Sequence, residues 1–543
     1  MANEIGNYIF EDIYNLQGEE AGLKALYFQN EFYTFKELGS FVDYLAGKFL
    51  ELGIKKGDHV ALLGMNSINW IASFFALTKI GAISTLLNFI SRHNELVRSI
   101  TFTDCKFIVY GKYVAEAKDP DDLSKLLKDC KIGESHSFSI KPKDLNPREI
   151  LLAGPYPHIE SAYPREEESK RTSYIVFTTG TTAEPKGVML SEYGLLNNIY
   201  HNLYKLDGPK TKSCMCLLPL FHCFGLLIAT GFLAYRKTVY LNEMSDPVDV
   251  FNDFRRHKVG FYASVGIIFD KLARTPFFWI LGKKRFTHCI VGGGFTSEKE
   301  FKFLERKYGK GKFLNGYGQS EASPLISLVM PDSPASKQRE SVGIPMDDLE
   351  IKTFDAASKL VQDPTVPGEI LVKGYNVCNG YYKLPVTKQP IDEQGYLHTG
   401  DLGYIDKDGY LVLTGRCKDI IIRKGENISA KEVEKAFEPY KEFTSVRVMG
   451  FPSLTDGETV IAVVELPKKP LHFHESHYIQ ELHKVLPSLK IPSHIVYFPS
   501  FPLAANGKLD ERTLREWVED KLNRIVDPKL YKEIRRIQKN LRK

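Results

Sequence analysis

A polar stretch directly after a short apolar run has the residue types that bind phosphate. The run at residues 174–177 predicts a buried strand. The polar residues that follow it are Thr178, Thr179, Gly180, Thr181, Thr182 and Lys186. Hydroxyl and backbone N–H groups donate to phosphate oxygens, and a lysine ammonium neutralises their charge. Because Pro185 precedes the lysine, the stretch lacks the Gly-Lys-Ser/Thr end of a Walker loop. A polar surface turn is the alternative interpretation.

The stretch at residues 174–187 resembles the nucleotide-binding loop of the adenylate-forming superfamily, which includes acyl-CoA synthetases, beetle luciferases and the adenylation domains of peptide synthetases. Further stretches resemble other motifs of that superfamily and follow in the same order up to residue 508. One motif would be weak evidence, whereas an ordered set is specific. The resemblance implies that the chain binds ATP and Mg²⁺ and that Lys186 stabilises negative charge during catalysis.

Residues 315–321 resemble the most specific motif after this loop. The nucleotide-site residues that the resemblance implies here are Tyr317 against adenine, Gly318, and Ser320 on the α-phosphate. Gly316 is expected to leave room for the substrate. Glu321 is the expected metal ligand, because Mg²⁺ prefers carboxylate, phosphate and water oxygens.

Residues 217–225 resemble an aromatic and histidine motif that lies between the nucleotide and the acyl group. The resemblance places His222 beside the carboxylate that is activated and Phe224 in the acyl pocket. A hydrogen-bonded core histidine is the alternative for His222. The acyl-pocket residues expected besides these two are Val265, Gly316, Pro324 and Leu325.

Two further motifs complete the expected nucleotide site. Their residues are Gly292, Gly293 and Gly294, whose backbone would lie against adenine, and Asp401 and Arg416, which would bind ribose hydroxyls or a phosphate. The alternatives are a flexible glycine turn, an ordinary turn aspartate and a surface cation.

A final motif at residues 502–508 resembles the one that carries the superfamily's catalytic lysine, here Lys508; a solvated loop lysine is the alternative. Gly425 resembles the glycine beside which the pantetheine arm passes, and Lys418 would be the hinge. The resemblance therefore implies acyl-adenylate formation, followed by transfer of the acyl group to the thiol of coenzyme A.

The class of substrate follows from charge. Residues 217–233 contain no Asp or Glu, whereas amino-acid-activating relatives place an aspartate in this motif to pair the substrate amine. A buried ammonium without a partner is costly, so a fatty or aromatic acid is expected. The rival hypotheses are an acyl-carrier-protein ligase, an aryl-acid ligase or luciferase-like oxygenase, and a non-catalytic nucleotide-binding module.

Chain length, net charge, cysteine content and apolar runs limit these hypotheses. A chain of 543 residues predicts two or more domains, and a net charge of +5 does not favour nucleic-acid binding. The eight cysteines have no regular spacing and are expected to be reduced thiols in the cytoplasm. No apolar run is expected to span a membrane.

A histidine-rich segment and a basic segment each have a simpler explanation than a metal site or a membrane contact. His472, His474 and His477 lie close together without forming HExxH, and a solvated helix start is favoured over a metal site. Residues 521–543 carry nine Lys and Arg against two Asp and Glu. A terminal helix is favoured there, with adhesion to an anionic membrane as the alternative.

The elements that must position these residues follow an α/β pattern. Alternating strand and helix signals predict a large N-terminal domain, residues 1–416, with layered parallel sheets. Short alternating runs at about residues 341–415 predict a small β-barrel or antiparallel sheet within it. Residues 417–543 predict a mobile α+β domain.

Local patterns within these domains predict individual elements. An apolar run predicts a helix at residues 70–80, and a shorter one predicts a strand at residues 107–110. Capping boxes are predicted at Thr34 and at Ser429.

Overall fold

The protein is described by a computed structural model. The structure describes residues 5–178, 186–202, 211–243, 247–257, 259–264, 266–274, 283–284, 286–292, 298–354, 361, 366–423, 426–453, 457–467, 474–503 and 509–525. The chain divides into two compact units. Unit 1 comprises Met1–Lys352, Leu371–Thr399 and Asp406–Val412; unit 2 comprises Thr353–Ile370, Gly400–Ile405 and Leu413–Lys543. The predicted boundary after residue 416 stays a prediction.

The strands are numbered in chain order. They are β1 (Lys24–Phe28), β2 (Glu31–Thr34), β3 (His59–Leu63), β4 (Ile83–Leu87), β5 (Phe107–Tyr110), β6 (Ser137–Ser139), β7 (Tyr174–Thr178), β8 (Lys186–Leu190), β9 (Ser213–Cys216), β10 (Thr238–Leu241), β11 (Phe261–Ser264), β12 (His288–Val291), β13 (Phe313–Gly318), β14 (Leu325–Leu328), β15 (Ile344–Pro345), β16 (Glu350–Phe354), β17 (Gly368–Lys373), β18 (Leu397–Ile405), β19 (Leu411–Arg416), β20 (Ile420–Arg423), β21 (Glu426–Ser429), β22 (Ser445–Ser453), β23 (Gly457–Glu465) and β24 (His494–Phe498).

The described α-helices and 3₁₀ turns alternate with these strands. The helices are Glu11–Tyr14, Gly18–Ala21, Phe35–Glu51, Ile68–Lys79, His93–Phe102, Val114–Lys118, Asp122–Cys130, Pro147–Ala153, Arg165–Lys170, Glu192–Asn202, Cys223–Ala234, Pro247–Arg256, Gly266–Arg274, Glu298–Tyr308, Ala335–Glu340, Ala430–Lys435, Glu475–Leu482 and Glu511–Ile525. The 3₁₀ turns are Glu134–His136, Ser320–Ala322, Val386–Lys388, Cys417–Asp419 and Ser488–Lys490.

Unit 1 contains two large sheets. In one, six described strands pair in the order β6-β5-β3-β4-β7-β8, and only the β7–β8 pair is antiparallel. In the other, nine described strands pair in the order β15-β14-β13-β12-β11-β9-β10-β1-β2, with parallel pairs from β12–β13 through to β1–β10. The parallel strands are buried and separated in sequence by helices, as such sheets require. The predicted α/β class is confirmed.

The helix Phe35–Glu51 shows how local sequence sets an element. Thr34 Oγ1 accepts from the backbone N–H of Glu37 at 3.2 Å, and Glu37 accepts from the backbone N–H of Thr34 at 2.7 Å, which is the predicted capping box. Phe41, Leu45 and Phe49 share its buried face. The apolar helix predicted at residues 70–80 is the buried helix Ile68–Lys79.

Unit 2 has its own sheet. Its described strands pair in the order β21-β20-β23-β22, with β24 parallel to β23. The predicted capping box at Ser429 is wrong: the Ser429 side chain makes no cap bond and donates instead to the carbonyl of Thr414 at 3.2 Å. A tertiary hydrogen bond has replaced the local one.

Two remaining segments bear on the predictions. The strands β16, β17, β18 and β19 pair in that order in a four-stranded sheet. The helix Glu475–Leu482 begins after His474, where a helix start was predicted; His472 lies outside the described residues. Among the described helices, none is both long and apolar enough to cross a bilayer.

Candidate active site

The predicted phosphate-binding loop joins two neighbouring antiparallel strands. Its first residue, Thr178, ends β7 and its lysine, Lys186, begins β8, and their Cα atoms are paired in the ladder. The strand pair therefore brings the two ends of the loop together, without a helix after the loop as in a Walker motif. The other loop residues, Thr179, Gly180, Thr181 and Thr182, lie outside the described residues.

Lys186 and Glu321 meet on one tyrosine that no motif had indicated. Tyr381 Oη donates to Glu321 Oε1 at 2.7 Å, a distance typical of a hydroxyl bound to a carboxylate. Lys186 Nζ lies 4.8 Å from the centre of the Tyr381 ring, within the range of a cation–π interaction. Glu321 and Tyr381 are each only 7% exposed. The structure thus brings together the predicted phosphate lysine and the predicted metal ligand.

The Tyr381 hydroxyl stays a hydrogen-bond donor over the ordinary pH range. Burial raises the pKa of this phenol well above its usual value, and the negative charge of Glu321 raises it further. Because both causes disfavour the phenolate, the proton remains on Tyr381. Sequence reasoning missed this residue, because its hydrogen-bond partner Glu321 lies 60 residues away in the chain.

Residues 217–225, which carry His222, contact residues 315–321 through Cys223. His222 is half-buried and precedes the helix Cys223–Ala234 as its N-cap residue. Its ring lies 4.7 Å from that of Phe221. Cys223 Sγ lies 3.4 Å from Ser320 Oγ, to which it donates. The expected acyl-side and nucleotide-side motifs are therefore in contact at this point.

The buried residue Asn66, which follows β3, hydrogen-bonds to the segment that precedes His222. Asn66 Nδ2 donates to the carbonyl of Leu218 at 2.9 Å, and Asn66 Oδ1 accepts from the backbone N–H of Leu220 at 2.8 Å. A Cβ at Gly225 would lie 2.2 Å from the carbonyl oxygen of Pro219. Glycine thus permits the first helical turn to pack against the segment that carries His222. Neither support was recognised in the sequence.

Phe224 and Gly292, which come from two different predicted motifs, pack against each other. A Cβ at Gly292 would lie 2.9 Å from Phe224 Cε1 and 3.1 Å from Cζ. The backbone N–H of Gly292 donates to the carbonyl of Ser264 at 3.3 Å. The absence of a side chain at residue 292 therefore makes room for the ring. Gly293, Gly294 and Val265 lie outside the described residues.

Several of the residues predicted around adenine and the acyl group lie in β13 or at the start of β14. Tyr317 is buried in β13, and a Cβ at Gly318 would lie 1.8 Å from the carbonyl oxygen of Pro324. The carbonyl of Leu325 accepts from the side-chain amides of Asn198 at 3.0 Å and Asn376 at 3.1 Å. These two buried asparagines hold the start of β14, which follows the turn that carries Ser320 and Glu321, and they were not recognised in the sequence.

Gly316 lies among apolar side chains. A Cβ there would meet Ile290, Leu325 and Leu328, each at 3.4 Å. The neighbourhood of the predicted acyl pocket is therefore hydrophobic, as Pro324 and Leu325 had suggested.

Two predicted ribose and phosphate residues pair within unit 2. Arg416 Nε lies 3.0 Å from Asp401 Oδ1, and their side chains are 55% and 12% exposed, respectively. Glu369 accepts from the backbone N–H of Gly400 at 3.1 Å. Burial lowers the pKa of nearby Lys431, and the carboxylates of Glu434 and Asp401 partly oppose this. Unit 2 thus carries an accessible guanidinium beside a largely covered carboxylate.

The structure does not describe the side chains of the remaining predicted residues. Lys418 lies in the 3₁₀ turn Cys417–Asp419, and its side chain is outside the description. Gly425 and Lys508 lie outside the described residues. Their predicted roles in the hinge, the coenzyme A path and catalysis stay predictions.

The residues of unit 1 fit Mg²⁺ that arrives with ATP. Glu321 offers a single carboxylate, and the described residues contain no group of three or more His, Cys, Asp or Glu side chains placed to hold a metal ion. Mg²⁺ is commonly held by one or two carboxylates together with substrate phosphates and water. The buried carboxylate of Glu321, with Lys186 at the end of the phosphate-binding loop, suits that arrangement.

Comparison with known proteins settles the family. The family model described as AMP-binding enzyme matches residues 17–382, which is more than half of the chain. This chain is an AMP-binding enzyme. The resemblance to adenylate-forming enzymes of the acyl-CoA synthetase branch is confirmed, and so is the prediction of an enzyme of the AMP-forming acid–thiol ligase class.

Relatives of this AMP-binding enzyme cover nearly all of it. The putative acyl-CoA synthetase YngI of Bacillus subtilis is 27% identical over 505 residues, 89% of this chain and 92% of its own. The acyl-CoA ligase sidI of Beauveria bassiana is 29% identical and covers 88% of this chain and 86% of its own. The medium-chain acyl-CoA ligase ACSF2 of human mitochondria is 26% identical and covers 90% and 84%, respectively.

Solved structures share the fold. ATP-bound MatB from Rhodopseudomonas palustris has a TM-score of 0.83 at 22% identity and covers 94% of this chain and 98% of its own. The MenE o-succinylbenzoate CoA synthetase of Bacillus subtilis, in complex with ATP and a magnesium ion, has a TM-score of 0.76 at 23% identity and covers 93% and 98%, respectively. At these identities the likeness concerns the fold alone.

Proposed function

We propose that this AMP-binding enzyme converts a carboxylic acid with an uncharged tail, above all a fatty acid, into its coenzyme A thioester. In the first half-reaction the carboxylate attacks the α-phosphorus of ATP, giving acyl-AMP and pyrophosphate. In the second, the coenzyme A thiol attacks the acyl carbon, loses its proton and displaces AMP. The single observation that carries the proposal is the meeting of Lys186 and Glu321 on Tyr381.

The charges in unit 1 suit the first half-reaction. Both the carboxylate and the phosphate chain are anionic, so a preorganised cation lowers the barrier most where negative charge develops. Lys186 supplies one such cation at the loop, and Lys508 is proposed to supply another. Glu321 would hold Mg²⁺, which would neutralise phosphate charge when it is bound.

The apolar surroundings support an uncharged tail. The side chains near Gly316 are those of Ile290, Leu325 and Leu328, and the described helix Cys223–Ala234 carries no charged residue. A substrate ammonium placed there would lose its hydration without an opposing carboxylate. The names of the relatives agree with this choice, since one of them is a medium-chain acyl-CoA ligase.

The second half-reaction is proposed to involve the C-terminal residues. Residues 417–543 would rotate about Lys418 so that Gly425 replaces Lys508 beside the acyl-adenylate.

All eight cysteines are free thiols, which supports a reducing compartment such as the cytoplasm. Fatty-acid and lipid metabolism is the proposed setting.

A pyrophosphate-release screen over a panel of carboxylic acids tests the proposal. Fatty acids of several lengths and aromatic acids should drive ATP-dependent release with Mg²⁺ present, and free amino acids should not. Adding coenzyme A or a holo-carrier protein after adenylation then identifies the acceptor; coenzyme A should yield the thioester. An amino-acid-dependent signal without any response to fatty or aromatic acids would refute the substrate class.

A further inference from the structure

Tyr381 contacts both charged groups that the proposed function assigns to the phosphate chain. Its hydroxyl donates to Glu321 Oε1 at 2.7 Å, while Lys186 Nζ lies 4.8 Å from its ring centre. In the part of the chain that the structure describes, no ion pair joins Lys186 directly to Glu321. A direct pair would neutralise the two groups that must face a metal ion and phosphate oxygens.

The backbone around Tyr381 is tied to the segments that carry both partners. The backbone N–H of Tyr382 donates to the carbonyl of Gly187 at 2.8 Å, next to Lys186. The backbone N–H of Cys378 donates to the carbonyl of Glu321 at 2.9 Å. One short segment, residues 378–382, therefore connects β8 to the 3₁₀ turn Ser320–Ala322 and has a defined position relative to each.

Gln389 fixes the tyrosine from the other side. Its Oε1 accepts from the backbone N–H of Tyr381 at 2.6 Å, and its Nε2 donates to the carbonyl of Tyr381 at 3.1 Å. Gly380 has φ +93°, and a Cβ there would lie 2.7 Å from Gln389 Oε1. Only glycine suits both this backbone conformation and this close approach.

We propose that Tyr381 is a positioning residue: its ring and hydroxyl hold Lys186 and Glu321 apart, so that both charges stay available to Mg-ATP. The inference rests on the proposed function but goes beyond it, since it assigns a role to a residue outside the motifs. The hydroxyl contacts the carboxylate of Glu321, and the ring contacts the ammonium of Lys186. The two halves of the side chain can therefore be removed one after the other.

The test is isothermal titration calorimetry with ATP alone, with EDTA or over a series of Mg²⁺ concentrations, so that no acid substrate is needed. The variants are Tyr381→Phe, which removes only the hydroxyl, and Tyr381→Leu, which also removes the ring. Tyr382→Phe is the matched control, because it removes a neighbouring hydroxyl that donates to Asp104 at 2.8 Å on the exposed surface. Melting temperatures without nucleotide identify any variant that is misfolded.

Tyr381→Phe should raise the Mg²⁺ concentration for half-maximal ATP binding by about 10- to 100-fold, the usual effect of removing a hydrogen bond behind a metal ligand. Its ATP affinity in EDTA should stay within about twofold of wild type, since the ring still lies beside Lys186. Tyr381→Leu should also weaken ATP binding in EDTA, by about two- to fivefold. Tyr382→Phe should match wild type in both conditions.

The outcomes separate this inference from the proposed function. If wild-type protein binds Mg-ATP and a folded Tyr381→Phe variant shows the same Mg²⁺ dependence as Tyr382→Phe, the positioning role is refuted and the proposed function stands. A Tyr381→Phe variant that loses affinity equally with and without Mg²⁺ also refutes it, because a general disturbance would act that way. Wild-type protein that binds no ATP would overturn the proposed function together with this inference.

Discussion

Replacing Gly292 by alanine should force the Phe224 ring to move. The built Cβ lies 2.9 Å from Phe224 Cε1 and 3.1 Å from Cζ, whereas carbon atoms pack best at about 3.5–4.0 Å. The ring must therefore withdraw by roughly 0.5–1 Å. Phe224 is half-buried and only the far end of its side chain is hit, so the free-energy cost should lie near the lower limit for overpacking, about 1 kcal/mol.

Gly316→Ala is the matched control. Its Cβ would meet Ile290, Leu325 and Leu328 at 3.4 Å, close to ordinary contact. Both substitutions restrict the unfolded chain to the same extent, by about 0.4–1 kcal/mol, so this contribution cancels in their difference. Gly292→Ala should be less stable than Gly316→Ala by about 1 kcal/mol in urea unfolding.

A double-mutant cycle identifies the ring as the cause. Phe224→Leu removes the ring atoms that the new methyl group meets, so Gly292→Ala should cost little in that background, with a coupling free energy of about 1 kcal/mol. The same displacement should change which chain lengths drive pyrophosphate release. Equal stability of Gly292→Ala and Gly316→Ala, with coupling below about 0.3 kcal/mol, would refute the reasoning.

Three further predictions concern the proposed reaction. Glu321→Gln should keep an oxygen that accepts from Tyr381 but lose the charge that binds Mg²⁺, so adenylation should fall strongly in a pyrophosphate assay; wild-type Mg²⁺ dependence would contradict this. Lys508→Ala should lower adenylate formation by roughly 10²- to 10³-fold yet still convert supplied acyl-adenylate to thioester, while Gly425→Leu should do the reverse; equal slowing of both steps by Lys508→Ala would contradict it. Deleting residues 526–543 should leave turnover in solution largely intact, and a flotation assay with anionic liposomes at low salt, where charge attraction is strongest, decides whether that tail binds membranes.

Local sequence determined much of the framework. The capping box at Thr34, the strand β5 and the buried helix Ile68–Lys79 lie where short-range patterns placed them. Side-chain periodicity and capping act over a few residues, so they can be read without knowing the fold. The ordered motifs likewise identified the AMP-binding family before any contact was known.

Contacts between distant segments could not be predicted in this way. Ser429 has the spacing of a capping box, but its hydroxyl donates to Thr414, because a tertiary partner competes with the local one. Tyr381 lies 60 residues from the Glu321 that it hydrogen-bonds, and no local pattern indicates such a partner.

The sequence by itself therefore determined which residues are expected to face phosphate, adenine and an apolar tail, and in what order they occur. The tertiary structure alone decided which of them meet: Lys186 with Glu321 through Tyr381, and Phe224 with Gly292. The physical reason is that strand pairing and close packing bring together segments far apart in the chain. Such proximity depends on the whole sheet rather than on any short stretch of residues.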